Sequence, residues 1–263
     1  MKHAIKHVLG QGLFASQLDA LLFRHRAVVV AFHRVNDLVT PDGLSVSVRM
    51  FERYCRFFRR YFRVVPLSDV VAKLEQGRRF DRELAITFDD GYLDNFENAA
   101  PVLERLSLPA TFFVVSEWIG TRVVPAWDEQ QGVSLPWMEW DHVRSLRRRG
   151  FAIGAHTRTH ANLGKLAGDA ACEEIRGARR DLEARLGTAI ELFAYPYGRP
   201  ENIARESRDL IRGAGFRCCC SCYGGTIGPA DDPFYLPRIP ISPWYSSPHQ
   251  FGLEAALGMS VLS

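Results

Sequence analysis

Leu84-Ala85-Ile86-Thr87-Phe88-Asp89-Asp90-Gly91 runs from a strongly apolar segment straight into two carboxylates and a glycine. The apolar half reads as a buried β-strand and the acidic half as the tight turn by which the chain leaves the core. The same pattern recurs on both sides. Upstream, strands are expected over residues 27–33 and 63–67; downstream, over 84–90 itself, 110–115, 151–156, 191–196, 216–222 and 238–242. Helical spacing fills the intervals at 49–61, 68–76 (capped by Ser68, ended by Gly77), 95–107, 141–149, 167–186 (ended by Gly187) and 200–212. Alternating strands and helices make parallel βα units, so the expected fold class is α/β, a distorted (β/α) barrel. Residues 118–137 carry several Trp, Gly and Pro with little periodicity and read as a surface excursion.

At 263 residues, with 47% hydrophobic and 24% charged side chains, the chain excludes disorder and a membrane-embedded body. The net charge is +3, and its local clusters, Arg147-Arg148-Arg149 and Arg179-Arg180, read as solvated helix faces. Without a concentrated basic stripe or a recognisable module, no nucleic-acid partner is expected. Four of the six cysteines crowd into residues 218–222, a poor disulfide framework. Cys218, Cys220 and Cys222 share one strand face but lack a second spaced ligand pair, so buried thiols are the favoured reading over a metal site.

Residues 1–26 are set apart from a single domain over 27–263. Their basic start and helical apolar spacing predict an amphipathic helix, packed on the domain or lying at a membrane surface, with packing the favoured placement. A secretory h-region and cleavage site are lacking, so the expected location is cytoplasmic, with the periphery of the inner membrane as the alternative.

Reactive side chains gather where strands end, which in a barrel is one face. His33 ends the first strand, Asp89 and Asp90 another, His156 a third; Tyr197 follows a fourth and Arg238 begins the last. Adjacent strand residues point to opposite faces, so Asp89 and Asp90 can divide the work, one binding a cation and the other taking a proton. A solvated Asp-Asp-Gly turn is the plain alternative. His156-Thr157-Arg158-Thr159-His160 returns a second imidazole after a short turn, and two imidazoles with a carboxylate form a facial set for a divalent metal that leaves a position open for water.

Together these segments resemble the polysaccharide deacetylase family, the NodB-homology group of carbohydrate esterases. Residues 87–91 match its first motif and His156 to His160 its His-Ser/Thr-x-x-His second motif; Phe193-Ala194-Tyr195-Pro196-Tyr197-Gly198 is similar to its third, and residues 140–150 to the stretch before the second. The resemblance spans about residues 27–242. It implies a distorted barrel, a divalent ion (zinc above all) held by Asp90, His156 and His160, Asp89 as general base, and the backbone N–H of Tyr197 as an oxyanion donor. The implied substrate is an acetylated carbohydrate: polysaccharide, oligosaccharide or lipid-linked precursor.

Two departures matter. The last strand, Leu236-Pro237-Arg238-Ile239-Pro240, lacks the Leu-x-His of many relatives, and His249 is poorly placed to replace it. His33, which resembles an early His of relatives acting on poly-N-acetylglucosamine, is therefore assigned as general acid. Ala194 stands where the third motif often has an Arg that orients the base; Arg238 either compensates or makes a surface salt bridge. The competing functions are a carbohydrate O-acetyl esterase and a catalytically silent carbohydrate-binding protein. Trp127 and Trp137 are candidate sugar platforms, whereas Trp140 is expected to pack. The oligomeric state is not legible.

Overall fold

In β1 (Ala27–Phe32), Val28, Val30 and Phe32 join one apolar cluster and Ala27 and Val29 another, and all five are fully buried. A strand apolar on both sides must be covered on both, which is the condition of a parallel sheet wrapped by helices. The computed structural model, which describes residues 2–222 and 224–258, shows this arrangement repeated. The other strands are β2 (Arg34–Val35), β3 (Ser45–Val46), β4 (Arg63–Val64), β5 (Glu83–Phe88), β6 (Thr111–Val114), β7 (Ala152–Ala155), β8 (Leu192–Ala194), β9 (Cys218–Cys220) and β10 (Ile239–Pro240).

The main sheet has the order β10-β1-β5-β6-β7-β8-β9, every pairing parallel, with β4 beside the start of β5 and β2–β3 forming a separate pair. The sheet curls until its far ends approach: Cys220 bridges Leu236, on the segment that leads into β10, and Ala27 bridges Ile227. The result is a distorted α/β barrel whose larger apolar layer lies beneath the helices. The smaller cluster, built from Ala, Val and Cys of the strands together with α4 (Leu67–Glu75), fills the other side.

The remaining helices are α1 (Lys2–Ala15), α2 (Asp19–Leu22), α3 (Val48–Tyr61), α5 (Ala100–Arg105), α6 (Ala126–Gln130), α7 (Trp140–Arg148), α8 (Gly168–Cys172), α9 (Ala178–Leu186), α10 (Arg205–Gly213) and α11 (Pro248–Ala256). Ser47 caps α3, its hydroxyl accepting from Met50 N–H at 3.2 Å. Ser68 does not cap α4, contrary to the expectation from sequence. Pro66 precedes the first turn, and the helix starts at Leu67 so that Leu67, Val70 and Leu74 share the buried face. The helix expected over 167–186 is continuous in direction but widens to a π turn at Glu173–Gly177, and Gly187 ends it in the left-handed conformation (φ 62°).

Beyond residue 242, where sequence periodicity predicts no element, the chain forms α11, and α1 packs directly on it. Gly10 makes that contact possible, since a Cβ at this position would stand 2.1 Å from the His249 carbonyl oxygen. Phe14 seats between Phe57 and Tyr61 of α3, and Lys6 pairs with the buried Glu254 at 3.0 Å. Gly10→Ala is therefore expected to cost about 1–3 kcal/mol in a urea titration, the range of overpacking, although alanine is the better helix former.

Candidate active site

Asp89 and Asp90 follow the end of β5 at Phe88 in a tight turn with Asp90 at φ 72°, and their carboxylates meet different partners although both line one cleft. Asp90 Oδ1 lies 3.4 Å from Nε2 of His156 and 3.3 Å from Nε2 of His160, with all three side chains buried. Asp90 Oδ1 makes no aligned hydrogen bond despite this proximity, so the three atoms converge on a shared point rather than on one another. Ligands held about 2.1 Å from a tetrahedral ion stand about 3.4 Å apart, so the donor set fits a divalent cation. The His156 ring is oriented in advance for such an ion, because its Nδ1 sits 2.8 Å from the Ala194 carbonyl. A carbonyl only accepts, so Nδ1 carries the proton and Nε2 keeps its lone pair for the ion.

Asp89 faces Arg238. The guanidinium donates to both carboxylate oxygens, at 2.7 Å to Oδ1 and 2.6 Å to Oδ2, and also to Thr87 Oγ1 at 3.0 Å and the Ser221 carbonyl at 2.6 Å. Both members of the pair are buried, so Arg238 is not on the surface. It stands just before β10, the strand that pairs with β1. His33 Nε2 completes the group 4.0 Å from Asp89 Oδ2, on the wall of a cleft of about 550 Å³ that Asp90, His156, His160, Trp127 and Tyr197 also line.

Burial alone would push both carboxyls up. For Asp89 the Arg238 guanidinium and the His156 imidazole outweigh it and hold the group below the usual carboxylate range; for Asp90 the two imidazoles do so more strongly. Burial lowers His160, whereas in His156 the charges of Asp89 and Asp90 overcome burial and raise it. Four site residues, Asp90, Thr157, His160 and Tyr197, hold positive φ of 72°, 61°, 61° and 64°. These turns aim the ligands back over the strand ends. Gly198, also at positive φ, is held so close to Cys222 that a Cβ would stand 2.2 Å from its backbone nitrogen.

The segment 118–137 is less of an excursion than its composition suggests. Leu93 N–H donates to Pro136 O at 2.8 Å, and α6 sits within the segment. Trp137 is not a sugar platform: it is buried against Tyr92 and Trp118, with its Nε1 donating to Val123 O at 2.7 Å. Trp127 does line the cleft, its ring 4.9 Å from that of His160 and its Nε1 donating to Tyr92 Oη. Trp140 packs on the core under the Arg185 guanidinium.

Sequence reasoning missed a buried brace beneath this loop. Arg34, fully buried, donates to Asp128 at 2.5 Å and to Asp42 at 2.6 Å, and Tyr92 Oη donates to the other Asp128 oxygen at 2.9 Å. All six cysteines are free thiols. Cys218 and Cys220 are buried as expected, but Cys222 leaves the strand and lines the cleft, its Sγ 3.9 Å from Asp89 Oδ2.

Fold and site place the chain among α/β-barrel proteins whose chemistry sits at the C-terminal ends of the strands. The chain belongs to the polysaccharide deacetylase family, whose model matches residues 76–219. That segment holds Asp89, Asp90, His156, His160 and Tyr197; His33 and Arg238 lie outside it. Among curated relatives, the poly-beta-1,6-N-acetyl-D-glucosamine N-deacetylase of Staphylococcus aureus is 24% identical over 208 residues, covering 75% of this chain and 68% of its own. Two solved structures share the fold. The Streptococcus pyogenes deacetylase PplD in complex with acetate has a TM-score of 0.73 and 18% identity, over 88% of this chain and 98% of its own. IcaB from Ammonifex degensii has a TM-score of 0.72 and 21% identity, over 90% and 98%.

Proposed function

We propose that the protein is a metal-dependent hydrolase that removes N-linked acetyl groups from an N-acetylhexosamine-containing carbohydrate, with zinc as its ion. The observation that carries this reading is the divided carboxylate pair: Asp90 converges with two imidazoles, while Asp89, one residue away, is clamped by Arg238 and faces His33. A divalent cation held by Asp90, His156 and His160 supplies Lewis acidity and brings the pKa of water toward neutrality. Asp89, ionised because Arg238 outweighs its burial, accepts the proton of the attacking water. Tyr197 N–H stabilises the carbonyl oxygen as negative charge develops there. His33 Nε2 protonates the departing amine, a step an amide needs more than an ester does. The curated relative's action on poly-beta-1,6-N-acetyl-D-glucosamine supports an N-acetylglucosamine substrate.

Acetate release tests this, using zinc-loaded protein on N-acetylglucosamine oligomers and O-acetylated sugars. Release from the N-acetyl series is the expected result; release from O-acetyl sugars alone would make the protein an esterase, and none from either would favour a silent binding role. His33→Ala is expected to lower release from N-acetyl substrates by about 10²–10⁴-fold but from an activated O-acetyl ester by less than about tenfold. An equal loss on both would remove His33 from the acid role. Zinc at about one hundred times its Kd is expected to raise Tm by roughly 5–10 °C over EDTA-treated protein, a shift that Asp90→Asn abolishes in calorimetry.

A further inference from the structure

Helix α1 is apolar on two sides. Gly10 and Phe14 face α11 and α3. The outward face carries Ile5, Val8 and Leu9, and the next turns, around α2, add Leu18, Leu21 and Leu22, each between 43% and 64% exposed. Among the described residues these six are half of the large hydrophobic side chains left in solvent. Exposed apolar residues are ordinarily scattered singly; these fall within eighteen consecutive positions, between which the exposed residues Gln11, Gly12 and Ala15 of α1 and Ser16 just beyond it are uncharged.

The exposed charges around this face are mostly basic. Lys2, Arg24 and Arg26 are exposed, and Arg60 lies alongside through Tyr61, which packs on Phe14. The acids nearby are Asp19, buried and 3.5 Å from Arg82; Glu254, buried on Lys6; and the exposed Asp81, bridged to the Arg24 backbone. An apolar face with a basic border complements an anionic bilayer and opposes a second copy of itself, which would set like charges together. Among the described residues no helix is long and apolar enough to cross a membrane, so the contact lies in the plane of the interface.

We propose that residues 2–26 dock the protein on the surface of an anionic lipid bilayer through the outward face of α1 and α2. The His3 ring packs on Trp244, which is half exposed and four residues beyond Pro240, a residue of the cleft lining. That placement suits a carbohydrate presented on a lipid carrier. The docking itself stands apart from the deacetylase reading and is tested without it.

The test is sedimentation of the full chain with vesicles of phosphatidylglycerol and phosphatidylcholine in equal parts, and with phosphatidylcholine alone. Binding to the anionic vesicles, weakened by salt, is expected. Ile5→Asp with Leu9→Asp should reduce the partition coefficient at least tenfold, and Lys2→Glu or Arg24→Glu about fivefold each. Leu38→Asp, at an exposed leucine elsewhere, should leave it unchanged. Melting curves and far-UV circular dichroism, both unchanged in the α1 variants, separate lost docking from lost fold. Absence of wild-type binding, or equal binding by the double variant, overturns the proposal. So does a dimer in vesicle-free ultracentrifugation that the same substitutions dissociate, because the face then belongs to a second copy.

Discussion

Asp89→Asn is expected to lower acetate release by about 10²–10⁴-fold, the range of a lost general base, while the protein still takes up one equivalent of zinc. The geometry separates the two properties. The proposed ligands are Asp90, His156 and His160, whereas Asp89 points to Arg238 and His33. Asparagine keeps the shape and one acceptor for Arg238 but cannot take a proton near neutral pH. Zinc content by atomic emission beside the kinetics gives the answer. Loss of both together would mean that Asp89 helps to hold the ion; retention of both would move the base elsewhere.

Arg238→Met should be the most destabilising substitution in the site, by about 3–5 kcal/mol, because it strands the buried Asp89 carboxylate without its counter-charge. The double variant Arg238→Met with Asp89→Asn should recover most of that loss in a urea titration, since neither group is then charged and unpaired. Activity should not return. Linkage gives the pH dependence. The Asp89 carboxyl is held below its ordinary value of 3.8, so the pair's contribution is fully present above that pH. It is lost as pH falls through the still lower value of the folded protein. In Arg238→Met burial is left to dominate, the carboxyl rises, and stability should increase as pH is lowered toward the carboxylate range. A variant whose stability falls with acid as the wild type's does would contradict the pairing as the source of the shift.

How much of this is legible in the sequence depends on how local the determining contact is. The residues from Leu84 to Gly91 announce both strand and turn within eight positions, but the two carboxylates are parted by the left-handed turn at Asp90, not by the pleat alone. His156 and His160 are likewise close in sequence. Arg238 can be singled out, but its partner lies 149 residues away, and only the near-closure of the sheet brings the two together. The Arg34–Asp128 brace spans 94 residues and anchors a segment whose mixed composition hides any period. Trp137 misleads for the same reason: in an aperiodic loop nothing in the sequence distinguishes the indole that faces the cleft from the one that packs beneath it. Helix α11 escapes because Pro248 and Gly252 obscure a short apolar face that gains its meaning from α1.

The four left-handed residues around the cleft carry a consequence for attempts to harden this molecule against heat. Asp90, Thr157, His160 and Tyr197 each forgo a more comfortable backbone, and a non-glycine residue there costs of order 1 kcal/mol. A screen for heat-tolerant variants will find ready gains at such positions, for glycine or asparagine relaxes them. At Asp90 and His160 such a gain would delete a proposed ligand outright, and at Thr157 and Tyr197 it would slacken a peptide unit beside one. Durability and catalytic alignment are thus set against each other in the same short turns, and durable, still active variants are better sought at the far end of the barrel, where the strands begin.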